Sequence, residues 1–378
     1  MIPYFKGLKV FKFVLLLVLI HCLLPMKKHN FSAGPSILTP SVLEQAAQAV
    51  VDLNNSGLSI LEISHRSQDF VSILESTKKM VLELMNLENK GYQVLFLQGG
   101  ASMEFCRIPQ NLLSINGKAA YVNTGTWANN AMNEAKYFGE VIEIASSKDR
   151  KYNYIPEFPE IVEKLDYLHI TSNNTIYGTQ FHKFPKVNSP LVCDMSSDIF
   201  SRPLDFSAFD MIYAGAQKNL GPSGTSMIVI KEEILGKTGR IIPSILDYQK
   251  HIAKESMFNT PAVYPIYVIY LTLQWIINQG GLEVLEKKNK EKAALLYQEI
   301  DDNPLFKGTA EVKDRSLMNV TFTLSDTTLT EKFDALCVSA GISGIKGHRS
   351  VGGYRASIYN AMPIESVKVL VEVMKQLN

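Results

Sequence analysis

Excess charge of either sign is missing from this sequence. Its 378 residues carry 38 Lys and Arg against 37 Asp and Glu, a formal net charge of +1, so no overall field draws in nucleic acid or an acidic membrane surface. Cysteine is scarce as well: Cys22, Cys106, Cys193 and Cys337 stand far apart and in no metal-ligand spacing. That argues against a disulfide framework or a metal module, and for free thiols in a reducing compartment, the cytoplasm. Internal repeats, low-complexity tracts and a complete nucleotide-binding phosphate loop are also absent. What remains is a neutral chain, 46% hydrophobic, long enough for two packed domains and expected to act on a small molecule.

The opening segment differs in character from everything after it. Lys6, Lys9 and Lys12 precede the apolar run Phe13 to Leu24, a pattern resembling the charged and hydrophobic regions of a signal peptide. The run is short for a membrane span, and no small-x-small cleavage site follows it. Residues 1–25 are therefore expected to be an upstream extension, with Met26 as the working start and no membrane segment from there onwards.

From residue 41 the periodicity alternates. Ser41 to Asn54 and Ser72 to Met85 read as helices, and Tyr92 to Leu97, Ala119 to Val122, Val141 to Ile144, Tyr167 to Thr171 and Leu191 to Cys193 as strands. Strands alternating with helices imply a mainly parallel α/β sheet with its site at the carboxyl ends of the strands. Val263 to Ile277 is apolar almost all round, which predicts a core helix or one buried against another subunit. After Gly280-Gly281, a charged helix (Glu283 to Glu299), strands near Met318 to Leu324 and a last helix from Pro363 predict a smaller α+β C-terminal domain.

Lys218 is the most informative residue. It sits in Tyr213-Ala-Gly-Ala-Gln-Lys218-Asn-Leu-Gly-Pro222, after a β-like run and among small residues. An ordinary lysine is a solvated surface charge; one at a strand end with small neighbours has room beside it for a flat cofactor. Burial also lowers its pKa toward the range of a nucleophilic amine. Upstream, Leu191-Val-Cys-Asp194 ends an apolar strand in a carboxylate, a suitable partner for a protonated pyridine nitrogen. Gln98-Gly-Gly-Ala-Ser102 links a strand to a helix, where free N–H groups suit a phosphate, although such a turn alone is equally an ordinary glycine turn.

Seven blocks in order carry a resemblance: Asn30-Phe-Ser-Ala-Gly-Pro35, Ile63-Ser-His-Arg66, Gln98 to Ser102, Asn173-Asn-Thr-Ile-Tyr-Gly178, Gly215-Ala-Gln-Lys-Asn219, Phe258-Asn-Thr-Pro261, and Gly347 to Gly353 leading to Arg355-Ala-Ser-Ile-Tyr-Asn360. The chain resembles the class V aminotransferases of PLP-dependent transferase fold type I and, among them, the phosphoserine aminotransferase family. The resemblance runs from Met26 to the C-terminus. It implies a large pyridoxal 5′-phosphate-binding domain over residues 41–282 and a small domain formed by residues 26–40 with 283–378. It further implies Lys218 and Asp194 as catalytic groups. Ala101, Ser102 and Gln217 would hold the cofactor phosphate, Trp127 would stack on its ring, and Thr175 would hydrogen-bond beside it. Asn259 and Thr260 would reach the same phosphate from the other subunit of a homodimer. Arg355 would clamp the substrate α-carboxylate, and His65, Arg66, His348 and Arg349 would receive the substrate phosphate or glutamate's distal carboxylate.

The implied reaction is ping-pong amino transfer from O-phospho-L-serine to 2-oxoglutarate, in L-serine formation and in many bacteria also toward pyridoxine. Two positions depart from relatives in the family: Ala33 stands where many have a second serine, and Ser102-Met103 replaces the arginine-containing glycine turn found in some members. Two alternatives stand beside this expectation: another class V PLP enzyme, either a small-substrate aminotransferase or a cysteine desulfurase, and a non-catalytic phosphate-ligand binder. A cysteine desulfurase would need a mobile reactive cysteine, whereas Cys337 lies in a helix-like stretch and fits a buried thiol. A non-catalytic phosphate-ligand binder would use the glycine turn and the basic pairs but form no lysine adduct.

Overall fold

The computed structural model describes residues 28–157, 161 and 163–377; the expectations for residues 1–25 and for Met26 lie outside them. The strands in chain order are β1 (His29–Asn30), β2 (Tyr92–Gln98), β3 (Lys118–Asn123), β4 (Glu140–Ser146), β5 (Tyr167–Thr171), β6 (Asn173–Asn174), β7 (Thr179–Gln180), β8 (Leu191–Asp194), β9 (Met211–Gly215), β10 (Thr225–Lys231), β11 (Phe306–Gly308), β12 (Asn319–Leu324), β13 (Ile342–Ser343) and β14 (Tyr354–Ser357). The α-helices are α1 (Pro40–Val51), α2 (Gln68–Leu84), α3 (Gly100–Leu112), α4 (Thr126–Ala135), α5 (Tyr248–Ile252), α6 (Val263–Asn278), α7 (Gly281–Asp302), α8 (Thr330–Ser339) and α9 (Ile364–Lys375).

A seven-stranded sheet of order β2-β10-β9-β8-β5-β3-β4 organises the chain. β4, β3, β5, β8 and β9 run parallel, and β10 is antiparallel to both β9 and β2. Only β10 is reversed, so β2 points the same way as the parallel strands. The central strands β5, β8 and β9 are buried at every position, as sheets covered on both faces require, which is why they read as continuous apolar runs. Ile170, Ile212, Ala214, Val229 and Phe96 join the cluster on one face; Tyr121, Tyr167, Tyr213 and Ile228 join the other.

Helix α6 packs against α1, α2 and α7 and buries Ile266, Ile269, Leu273 and Ile276. The first of its two expected settings therefore holds within the chain itself. A second, antiparallel sheet of order β11-β12-β14 packs with α7, α8 and α9 around Leu296, Val320, Phe322, Phe333 and Leu370. Phe31 is fully buried in this cluster. It is held there by Phe31 N–H donating to Ser343 O (2.8 Å) and by Ser357 N–H donating to Phe31 O (3.2 Å), next to the parallel pairing of β1 with β13.

The observed boundaries move by a few residues from the expected ones, each for a local reason. Helix α1 stops at Val51 because Asp52 turns extended and Asn54 and Asn55 take left-handed conformations. Helix α2 begins at Gln68, earlier than its apolar pattern, because the Ser67 side chain accepts from Phe70 N–H. Helix α7 starts at Gly281, just after Gly280 in a left-handed conformation.

Ile170 is fully buried at the centre of the large sheet, so Ile170→Ala is expected to lower unfolding stability by about 2–5 kcal/mol. Chemical denaturation monitored by circular dichroism checks this; a change within 0.5 kcal/mol, the range of about a surface substitution, would contradict the packing described.

Candidate active site

The shared direction of the strands gathers their carboxyl ends along one edge of the large sheet. β2 ends at Gln98 and passes through Gly99 into α3; β3 ends at Asn123 and leads to Trp127 at the start of α4. β5 leads to the β6–β7 hairpin that carries Thr175, β8 ends at Asp194, and β9 leads to Gln217 and Lys218. Since β10 runs the opposite way, its beginning, preceded by Ser223 and Gly224, returns to the same edge. A cavity of about 220 Å³ lies there, lined by Gly99, Gly100, Ala101, Ser102, Phe105, Trp127, Asp194, Ser196, Gln217, Lys218, Ser223 and Gly224.

Lys218 is partly buried, and its Nζ donates to Thr175 Oγ1 at 2.7 Å. The ammonium position lies 5.9 Å from the Trp127 ring centroid. Burial lowers its pKa to about 8; Asp194 and Asp198 oppose that shift, while the nearby positive charge of Arg355 adds to it. Its backbone is held by the N-terminal segment: Ser36 Oγ donates to Lys218 O, and Ser36 N–H donates to Gln217 O at 2.9 Å. The N-terminal segment thus meets the lysine loop.

Asp194 is buried, 5% exposed, and its Oδ1 accepts from Ser196 N–H (2.9 Å) and Ser196 Oγ–H (2.6 Å). Ser196 was not legible as a site residue. Its only sequence signal is its place two residues after the strand-ending aspartate. The turn into α3 has Gly99 at φ 111° and no side-chain cap, so the N–H groups of the first helical turn are without a capping side chain. Beneath this turn Glu104, fully buried, accepts from Arg107 Nη1 (2.5 Å), Ser226 Oγ (2.7 Å) and Tyr248 Oη (2.5 Å), and Arg107 Nη2 reaches the Gln98 carbonyl (3.4 Å). That buried network anchors the turn from behind.

Several lining atoms fit a polar, phosphate-bearing aromatic group. Trp127 Nε1 and Gln217 Oε1 are buried without a hydrogen-bond partner among the described residues. Such atoms are costly unless a bound group satisfies them. A Cβ added at Gly215 would stand 2.7 Å from Gln217 Oε1 and 3.2 Å from Ala101 Cβ, so a larger residue would push on Gln217 and Ala101, two residues that line the cavity. The donor set is thus a helix N-terminus for an anion, an indole beside a flat ring, a buried carboxylate and one amine of lowered pKa.

Not every expected residue gathers here. Asn259 Nδ2 donates to Gln98 Oε1 (3.0 Å) and Thr260 O accepts from Gln98 Nε2 (2.6 Å); both residues sit on the residue preceding the glycine turn without lining the cavity. Arg355, on β14, lines a second, more open cavity of about 840 Å³ together with Lys28, Ser32, Ala33 and Gly34. Its Nε is buried and unpaired among the described residues. His65, Arg66, His348 and Arg349 line neither cavity. His65 Nε2 is likewise buried and unpaired, and His348 Nδ1 is 2.7 Å from Ser350 Oγ in the exposed loop before β14. Cys337 is 2% exposed on α8, and burial pushes its thiol up to about 12, the opposite of a reactive desulfurase cysteine. Among the described residues, no His, Cys, Asp and Glu cluster fits a metal ion, and no helix is long and apolar enough to cross a membrane.

Comparison with known proteins places this arrangement. The model of the family Aminotransferase class-V matches residues 28–370, and the chain belongs to that family. It is 64% identical over 352 residues, 93% of this chain and 99% of the relative, to the phosphoserine aminotransferase of Flavobacterium psychrophilum. The solved phosphoserine aminotransferase of Bacillus circulans subsp. alkalophilus superimposes with a TM-score of 0.90 at 42% identity, covering 93% of this chain and 99% of that one. The PLP-bound phosphoserine aminotransferase of Trichomonas vaginalis gives a TM-score of 0.87 at 34% identity, covering 93% and 100%.

The lowered pKa of Lys218 has a measurable sign. In cofactor-free protein, pH-dependent modification of the Lys218 amine, followed by peptide mass spectrometry, is expected to show a midpoint near about 8. A midpoint at the ordinary lysine value of roughly 10.4 would contradict the burial described. Because the folded value lies below the unfolded one, this group's contribution to stability rises as pH increases between them.

Proposed function

We infer that Lys218 is the catalytic amine of a pyridoxal-phosphate-dependent aminotransferase that exchanges O-phospho-L-serine and 2-oxoglutarate for 3-phosphohydroxypyruvate and L-glutamate. The observation that carries this is the Lys218 amine, of lowered pKa, at the end of β9 in a cavity it shares with Trp127, Asp194 and the uncapped start of α3. The reaction serves L-serine biosynthesis, and the same chemistry extends to 4-phosphohydroxy-L-threonine on the way to pyridoxine.

Pyridoxal 5′-phosphate, when bound, supplies an aldehyde carbon that binds amino groups and a ring that withdraws electrons from the carbon attached to them. Lys218 would hold that aldehyde carbon between turnovers. Ala101, Ser102 and Gln217 would hold the phosphate at the N-terminus of α3, Trp127 would cover the ring, and Thr175 would stand beside it. Asp194, fixed by Ser196, would keep the ring nitrogen protonated. Once the substrate amino group takes the place of Lys218, the freed amine would take the proton from the substrate α-carbon and hold it for transfer. A pKa near 8 leaves a useful fraction of that amine neutral at physiological pH. Arg355 would take the α-carboxylate in a bidentate grip.

The remaining anion readers call for a second copy of the chain. Phosphoserine and glutamate each carry a second anionic group, yet His65, Arg66, His348 and Arg349 do not line the cavity within one chain. In a homodimer with shared sites these residues, with Asn259 and Thr260, would complete the neighbouring cavity. A division into a large domain over residues 41–282 and a small one of residues 26–40 with 283–378 belongs to the same proposal, supported by the separate core around Phe31, Leu296 and Val320. So does a cytoplasmic address, which the three described thiols, all unpaired, support.

Lys218→Ala is expected to abolish both transamination and the cofactor absorption band that phosphoserine bleaches in the parent enzyme. Spectra recorded before and after adding phosphoserine check this, and turnover retained by the variant would overturn the assignment. A band discharged by glutamate but not by phosphoserine would keep the class and change the substrate. Mixing Lys218→Ala with Arg66→Ala protomers tests the shared site. Each homodimer should be inactive, and random exchange should restore up to about a quarter of the parent activity, since half the dimers are mixed and each mixed dimer keeps one intact site. No recovery despite proven subunit exchange would rule the shared site out.

A further inference from the structure

Asn219, the residue after Lys218, and Asn360, which ends the segment leaving β14, close two of the blocks singled out in the sequence, and nothing above gives either a task. Both are buried, and they meet: Asn360 N–H donates to Asn219 Oδ1 at 3.1 Å. An N–H needs an acceptor, so this bond fixes which way the Asn219 amide faces. Its Nδ2 then donates to Ser197 O at 3.3 Å and lies 3.8 Å from Met318 Sδ.

Asn219 therefore joins the two sheets. Ser197 lies between Asp194 and Asp198, just after β8 of the large sheet. Met318 precedes β12 and Asn360 follows β14, the two strands of the small sheet in which Arg355 pairs with Thr321. The stretch from Arg355 to Asn360 has little freedom of its own. Ile358 N–H donates to Met318 O at 2.8 Å, and the buried Lys292 on α7 donates to Ile358 O at 2.9 Å and Tyr359 O at 2.7 Å. The Asn360 side chain is held from the other side, its Nδ2 donating to Phe200 O and its Oδ1 accepting from Asn289 Nδ2, each at 2.9 Å. A displacement at Asn360 is thus passed along the chain to β14.

We propose that Asn219 is a positioning residue for the substrate: by tying the loop of Lys218 to the strand of Arg355, it sets the separation at which amine and guanidinium act on one amino acid. The amine works at the α-carbon and the guanidinium grips the α-carboxylate, so the two must stand at a fixed spacing; a misplacement of about 1 Å costs on the order of a hundredfold in rate. This rests on the roles given above to Lys218 and Arg355.

Asn219→Ala removes the tie and leaves the Asn360 N–H without its acceptor. In the holoenzyme, the phosphoserine and glutamate concentrations giving half the maximal rate of cofactor-band discharge should both rise by about tenfold, the scale of one hydrogen bond. O-Methylhydroxylamine, an amine without a carboxylate, should discharge the band at the parent rate. Equal slowing with all three amines, or no change with any, overturns the proposal. Hydrogen exchange of the cofactor-free protein, followed by mass spectrometry, gives a reading independent of turnover. The peptide from Arg355 to Asn360 should lose protection in Asn219→Ala while β2 keeps it, and unchanged protection there also overturns the proposal. Should Asn219→Ala fail to fold, Asn289→Ala loosens Asn360 from the side away from Lys218. It should raise both substrate concentrations by a smaller factor without slowing O-methylhydroxylamine, and no rise contradicts the proposal. Failure of the underlying assignments shows separately, as turnover that persists in Lys218→Ala or as substrate concentrations unaltered in Arg355→Ala.

Discussion

The desolvation of a single amine is the constraint to which the rest of this molecule answers. An exposed lysine is protonated throughout the physiological range and nucleophilic only in trace amounts, so the fold must withdraw Lys218 from water without leaving a naked buried charge. Asp194 and Asp198 offset the burial, Arg355 adds to it, and Thr175 supplies the hydrogen bond that a buried amine requires. Asp194 and Asp198 arrive together at and after the end of β8, and Thr175 on the β6–β7 hairpin. The large sheet brings these three to one edge because its strands share a direction, and the small sheet brings Arg355 on β14.

A second buried charge has the opposite purpose. Glu104 and Arg107 form an ion pair with almost no exposure, further hydrogen-bonded by Ser226, Tyr248 and the Gln98 carbonyl. A pair buried so completely is a poor source of net stability but a strict geometric constraint. It fixes the strand end that enters the glycine turn and, through the Gln98 side chain, the segment carrying Asn259 and Thr260. The glycine turn is therefore stiffened from the side away from the cavity.

Much of this was legible in the sequence. The strands that build the large sheet are long enough, and buried enough on both faces, to leave continuous apolar runs, and Gly99-Gly100, Asp194 and Lys218 sit at their ends where parallel strands put their chemistry. Less legible were parts whose signal is not local. β1 and β13 are two residues each and exist only because the N-terminal segment returns to the small sheet. Ser36 acts on a loop 182 residues away. Ser196 and Glu104 are common residue types whose importance lies in which atoms they hydrogen-bond. The basic residues at 65, 66, 348 and 349 were found by chemistry and motif, and the single chain does not bring them to the cavity.

The reversal of β10 has a consequence for how the protein is made. Were β10 parallel to β9, the chain between them would have to cross the sheet, and Lys218 would sit in a long excursion. The antiparallel pairing instead closes the connection from Gly215 to Thr225 within a hairpin, with Ser226 directly opposite Gly215. Closing so short a loop costs little chain entropy, and its contacts are among the least separated in sequence of any in the large sheet. The segment bearing the reactive lysine can thus take shape around its own two strands.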